Sequence, residues 1–115
     1  MASLGQWRTW WVKQRWYERN HHHRRRLRLN RHAAQGGFFI RYPIEGEVLE
    51  ALDSGRLEIG EGTLLEPGCW LTLSDDARIR IGEGCFLNKN TMLAALELIE
   101  IGDHVMFANN CFVGD

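Results

Sequence analysis

Ile59, Leu65 and Leu71 stand six residues apart. The same spacing recurs in Ile81, Leu87 and Leu93, and again in Ile101, Phe107 and Val113. All nine positions are apolar in a chain that is 44% hydrophobic, so the period is a pattern and not a reflection of composition. An amphipathic helix repeats its apolar residues at steps of three and four, which this series does not sustain. A period of six fits short strands joined by turns and wound into a coil. Three hexads make one coil, and the wider steps from Leu71 to Ile81 and from Leu93 to Ile101 hold extra residues that are expected to loop out. Three interior columns follow: Ile59–Ile81–Ile101, Leu65–Leu87–Phe107 and Leu71–Leu93–Val113.

The intervening positions agree. Gly60, Gly82, Gly102 and Gly114 each follow a register residue, where a corner brings backbones close. Four residues after a register position comes a small side chain suited to the inside of a corner: Thr63, Cys69, Cys85, Thr91, Val105 or Cys111. Pro67-Gly68, Asn88 and Asn110 read as turn formers at equivalent points. Cys69 and Cys111 share a face two coils apart, about 10 Å at the usual strand spacing, which is beyond disulfide reach. Cys85 falls on another face. The three cysteines are expected to be small core residues, with neither a disulfide framework nor a metal site.

The charge is divided. Residues 1–43 carry ten Lys/Arg against the single acid Glu18, and residues 44–115 carry four against fourteen, giving +9 and −10. The boundary suggests a basic, tryptophan-rich segment over 1–43 and a repeat domain over 44–115. No proline or glycine lies between Gln6 and Gln35, so an α-helical segment is predicted within 5–30. Two roles suit it: a cap on the open end of the coil, and peripheral membrane contact through residues 5–30, where tryptophan and arginine meet anionic headgroups. The −10 remainder argues against nucleic acid. His21-His22-His23 lacks a fourth ligand and makes a weak metal site. No apolar run reaches the length of a membrane span, and the start lacks a secretory leader, so a cytoplasmic setting is expected.

The hexads, written aliphatic-Gly-x-x-small-x, resemble those of the hexapeptide-repeat acyltransferases. "IGEGCFLNKNTMLAALELIEIGDHVMFANNCFV" (81–113) is most similar to the sugar O-acetyltransferases of the maltose/galactoside and capsule or lipopolysaccharide branch. The resemblance covers about residues 57–115. It implies an all-β solenoid, a left-handed parallel β-helix, here with an N-terminal α-helical segment. It further implies a homotrimer that binds acetyl-coenzyme A between subunits and moves its acetyl group to a carbohydrate hydroxyl, in surface-polysaccharide modification. A histidine acts as general base, because imidazole can remove the hydroxyl proton as the new bond forms.

Asn88 matches the asparagine that this branch places beside the acceptor. The following stretch, Ala94-Ala95-Leu96-Glu97-Leu98, replaces their acidic projecting loop with a mostly apolar one, which points to an acceptor bearing an apolar group. His104, the only histidine inside the repeats, stands at the fourth place of a hexad, where an outward turn residue is expected; it is a secondary candidate for the base. The resemblance places the catalytic histidine beyond Asp115, so residues 1–115 are expected to be the front of a longer protein and inactive alone. The competing reading is a non-catalytic scaffold or assembly module. A γ-class carbonic anhydrase would need histidines from neighbouring coils around zinc, and His104 alone does not supply them.

Overall fold

A computed structural model describes residues 23–115 throughout and, before them, Ser3, Gly5, Gln6, Arg8 and Thr9. It is a parallel β-solenoid of about three turns with an N-terminal helix. Helix α1 (His23–Gly36) leads into strands β1 (Phe39–Ile40) and β2 (Ile44–Gly46), followed by a short helix, α2 (Val48–Asp53). Two coils of three strands follow: β3 (Leu57–Ile59), β4 (Leu64–Leu65) and β5 (Cys69–Leu73), then β6 (Arg78–Ile81), β7 (Phe86–Leu87) and β8 (Met92–Ala95). The last described coil comprises β9 (Leu98–Ile101), β10 (Met106–Phe107) and β11 (Phe112–Gly114).

These strands form three parallel sheets: sheet A (β1-β4-β7-β10), sheet B (β2-β5-β8-β11) and sheet C (β3-β6-β9). The expected columns are all in register. Ile59 pairs with Ile81 and Ile81 with Ile101; Leu65 pairs with Leu87 and Leu87 with Phe107; Leu71 pairs with Leu93 and Leu93 with Val113. The second column gains a member, Ile40 above Leu65. The solenoid thus takes in Phe39 and Ile40, ahead of the boundary expected at residues 43 and 44.

All variation in coil length falls at one corner. Residue 40 pairs with 65, 65 with 87 and 87 with 107, so successive coils take 25, 22 and 20 residues. Between sheets B and C the first coil carries helix α2, the second a turn at Asp75 and Asp76, and the third a turn at Leu96 and Glu97. The surplus residues are therefore not simply looped out. They lengthen β5, β6, β8 and β9 and carry buried Leu73, Ala77 and Ala95.

Two polar devices tie coil to coil. At the corner from C to A, Thr63 Oγ1 donates to the Gly82 carbonyl (2.7 Å) and accepts from the Cys85 N–H (3.1 Å), while Cys85 Sγ lies 3.0 Å from the Gly102 carbonyl. At the corner from A to B, Cys69 Sγ lies 3.4 Å from the Asn88 carbonyl and Thr91 Oγ1 3.4 Å from that of Ala108. Small polar side chains fit there because they fill the bend and give a carbonyl of the next coil a partner. Gly60 and Gly82 are required by contact: a Cβ on Gly60 would lie 2.4 Å from the Gly82 carbonyl carbon, and one on Gly82 2.7 Å from that of Gly102.

The amino end is closed. Helix α1 buries Leu29 and Ala33, α2 buries Val48, Leu49 and Ala51, and Phe38 seals the join. The helices are tied across their shared edge by Arg25–Glu50 and Arg28–Asp53 ion pairs and by His32 Nε2 to Asp53 Oδ1 at 2.8 Å. Helix α1 packs against β1 and α2 at the amino end of the solenoid, and it runs six residues past the range in which a helical segment was expected. Further upstream, Ser3 and Gln6 form a reciprocal capping pair, each side chain bonded to the other's backbone N–H (2.9 and 3.2 Å), and Gly5, Gln6, Arg8 and Thr9 are helical. Trp7, Trp10, Trp11, Trp16, His21 and His22 lie outside the described residues.

Candidate functional site

A coil's outer surface is set by the residue just before each register position. On sheet C these are Glu58, Arg80 and Glu100, which pair in register and make ion pairs at 3.1 and 3.5 Å. That face is solvated. On sheet A the outer column is Phe39, Leu64, Phe86 and Met106, and on sheet B it is Glu45, Trp70, Met92 and Phe112. Phe39 is 60% exposed, Met106 77% and Phe112 67%. Sheet A is thus apolar inside and out along this column, and sheet B is so from Trp70 onward.

The two apolar faces meet at the corner from A to B. Down that corner stand Glu66, Asn88 and Ala108, beside the tips Lys89-Asn90 and Asn109-Asn110. The Glu66 carboxylate is nearly buried, with an Arg41 guanidinium nitrogen 3.5 Å away. Asn88 is half-buried, and its Oδ1 accepts the Lys89 N–H at 2.9 Å. Asn88 is not the left-handed turn residue that its spacing suggested. The positions equivalent to Gly68 (φ +85°) and Asn110 (φ +60°) belong to Asn90 (φ +60°), two residues later. Asparagine serves there because its short amide tolerates the left-handed region.

His104 fulfils its turn reading. Its φ is +58°, matching Gly62 and Gly84 at the same corner, its N–H donates to the Glu83 carbonyl at 2.8 Å, and it is exposed. Asn88 and His104 occupy opposite edges of sheet A, so one copy of the chain does not bring them together. The expected apolar loop is also absent: Ala94 and Ala95 end β8, Leu98 opens β9, and only Leu96 and Glu97 turn. Asp115 holds that turn closed, its carboxylate accepting the N–H groups of Leu96, Glu97 and Leu98 at 2.6, 2.8 and 2.6 Å. Those three bonds hold the Asp115 carboxyl below its ordinary range.

Cys69 and Cys85 are core residues, and Cys111, in the last described coil, is only partly buried. Burial pushes the Cys69 thiol up to about 11, so it carries no thiolate at neutral pH. Among the described residues no cluster of histidine, cysteine, aspartate or glutamate could hold a metal ion, and no helix is long and apolar enough to cross a membrane. Sequence reasoning missed two features. The His32–Asp53 pair joins helices that no local pattern connects; a hydrogen bond from the imidazole, with Arg28 beside it, lowers the Asp53 pKa. The outer columns did leave a signal, the adjacent apolar pairs Leu64-Leu65, Phe86-Leu87, Met106-Phe107, Trp70-Leu71, Met92-Leu93 and Phe112-Val113.

No protein-family model, curated protein or solved structure matches the chain. What the structure establishes is the parallel β-solenoid.

Proposed function

We propose that the protein is an O-acetyltransferase, moving an acetyl group from acetyl-coenzyme A to a carbohydrate hydroxyl in the modification of a surface polysaccharide. The observation that carries this reading is the stack of aliphatic-Gly-x-x-small-x hexads in a parallel solenoid, with the half-buried Asn88 amide at the corner between two apolar faces. Amide, ammonium and carboxylate groups at that corner suit a polyhydroxylated acceptor, each hydroxyl both donating and accepting. In the reaction, a general base takes the hydroxyl proton as the oxygen attacks the thioester carbonyl. The coenzyme A sulfur then leaves and recovers a proton. Asn88 positions the acceptor, the base is a histidine beyond Asp115, and His104, which one copy does not bring to Asn88, is the secondary candidate.

The proposal includes a homotrimer. Three prisms meeting about an axis at their A–B corners would set sheet A of each copy near sheet B of the next, covering Phe39 and Met106 with Trp70 and Phe112. Triangular prisms so arranged diverge outward, leaving wedge-shaped clefts of the kind a coenzyme could enter. The charged sheet C would stay in water.

The scaffold reading has its own support: among the described residues no imidazole stands at the Asn88 corner. Acceptor-dependent thiol release from acetyl-coenzyme A, measured on the natural gene product with a panel of sugars, decides between them. Release that falls at least tenfold in Asn88→Ala is expected. A well-folded oligomer that releases no thiol with any sugar gives the scaffold. Transfer by residues 1–115 alone that is lost in His104→Ala would assign the base to His104.

A further inference from the structure

The charges on helix α1 are answered on one side only. Arg25 bonds Glu50, Arg28 and His32 bond Asp53, and the Arg26 guanidinium lies 4.3 Å from the Tyr42 ring centre. On the face opposite buried Leu29 and Ala33 stand Arg24, Leu27 and Arg31, three and four residues apart and so in one line along the helix. Leu27 is 54% exposed. Among the described residues neither Arg24 nor Arg31 has an acidic partner. An exposed leucine framed by unpaired arginines, on a helix that caps a solenoid, has no use for the fold.

We propose that this face docks the capped end of the solenoid onto an anionic membrane surface, with Leu27 at the acyl-chain boundary and Arg24 and Arg31 against lipid phosphates. The charge distribution sets the orientation. Residues 1–43 carry +9 and residues 44–115 carry −10, so an anionic surface attracts the helical end and repels the coils. Only end-on docking satisfies both. Four of the five tryptophans lie in residues 7–16, upstream of α1, and tryptophan beside arginine suits the headgroup layer. A nucleic-acid surface would use the arginines and leave Leu27 and the indoles without a role.

The test is sedimentation of the full chain with vesicles of phosphatidylcholine alone or with phosphatidylglycerol added, alongside a DNA duplex. Arg24→Glu/Arg31→Glu and Leu27→Glu are suitable variants because all three side chains are exposed, and an unchanged thermal melt shows that they fold. Binding is expected to anionic vesicles only, weakened about thirtyfold or more by the double charge reversal and several-fold by Leu27→Glu. Equal binding to neutral vesicles, undiminished binding by the folded double variant, or tighter binding to the duplex would overturn the proposal.

Discussion

The first and last described coils carry the same hexad pattern in different surroundings. At the amino end, α1 and α2 lie across the first coil, and Ile44, Leu65 and Leu71 are fully buried. At the other end, Ile101, Phe107 and Val113 hold the same register but are only part-buried, and Met106 and Phe112 project from the last strands. A register residue is worth what covers it. The pattern in sequence says which way a side chain points, and the neighbouring layer decides how much that contributes.

The sharpest way to break this comparison is to put the same charge into both ends. Ile81→Asp buries an unpaired carboxylate among three coils, a cost of several kcal/mol and of the order of the whole stability of a small domain. Val113→Asp, at a part-exposed position, should cost about 1 kcal/mol or less. Urea unfolding of both variants checks the contrast, and equal losses would abolish it.

Glycines give the next largest difference. Gly82→Ala forces a methyl group against the carbonyl carbon of the next coil and should cost more than about 2 kcal/mol. Gly102→Ala meets nothing within 4 Å and should stay within about 0.5 kcal/mol of the parent. A third pair uses one corner column. Thr63→Val leaves the Gly82 carbonyl and the Cys85 N–H without their shared partner, for about 1–3 kcal/mol. Val105→Thr, in the last coil, should be nearly neutral.

The smallest effect is pH dependence. Asp53 in α2 and Asp115 in the last described coil both have carboxyls held below their ordinary value of 3.8. A depressed pKa contributes stability that is fully present above the unfolded value and is lost as pH falls through the folded one. The melting temperature should therefore be insensitive to these two groups at neutral pH and fall below about pH 4. Asp53→Asn and Asp115→Asn should each make that acid fall shallower, and a decline centred near pH 6 would point to other groups.

Much of this was legible in the chain. Every sixth residue must be apolar if three sheets face one dry centre, and that demand fixed Ile59, Leu65 and Leu71 and all their partners below. What escaped lies where the hexad is replaced. Arg41-Tyr42-Pro43 interrupts the pattern, so Ile40 was not recognised as the head of a column, and α2 stands where the first coil would otherwise begin its third sheet. Asn88 and Asn90 differ by two places in a turn, and only the backbone φ of Asn90 separates a turn-former from a side chain available to a ligand. The salt bridges from α1 to α2 link residues about 25 apart through tertiary packing, which no local spacing encodes.

Amide hydrogen exchange of residues 1–115, resolved by strand, tests the central claim most directly. Parallel ladders closed by a cap at one end should give a gradient along the axis. The amides of β5 and β8 should exchange slowest, and those of β9, β10 and β11 orders of magnitude faster, with Val113 less protected than Leu93 and Leu93 no more protected than Leu71. Uniform protection across all coils, or fastest exchange in β4 and β5 beneath the helices, would contradict a solenoid capped at its amino end.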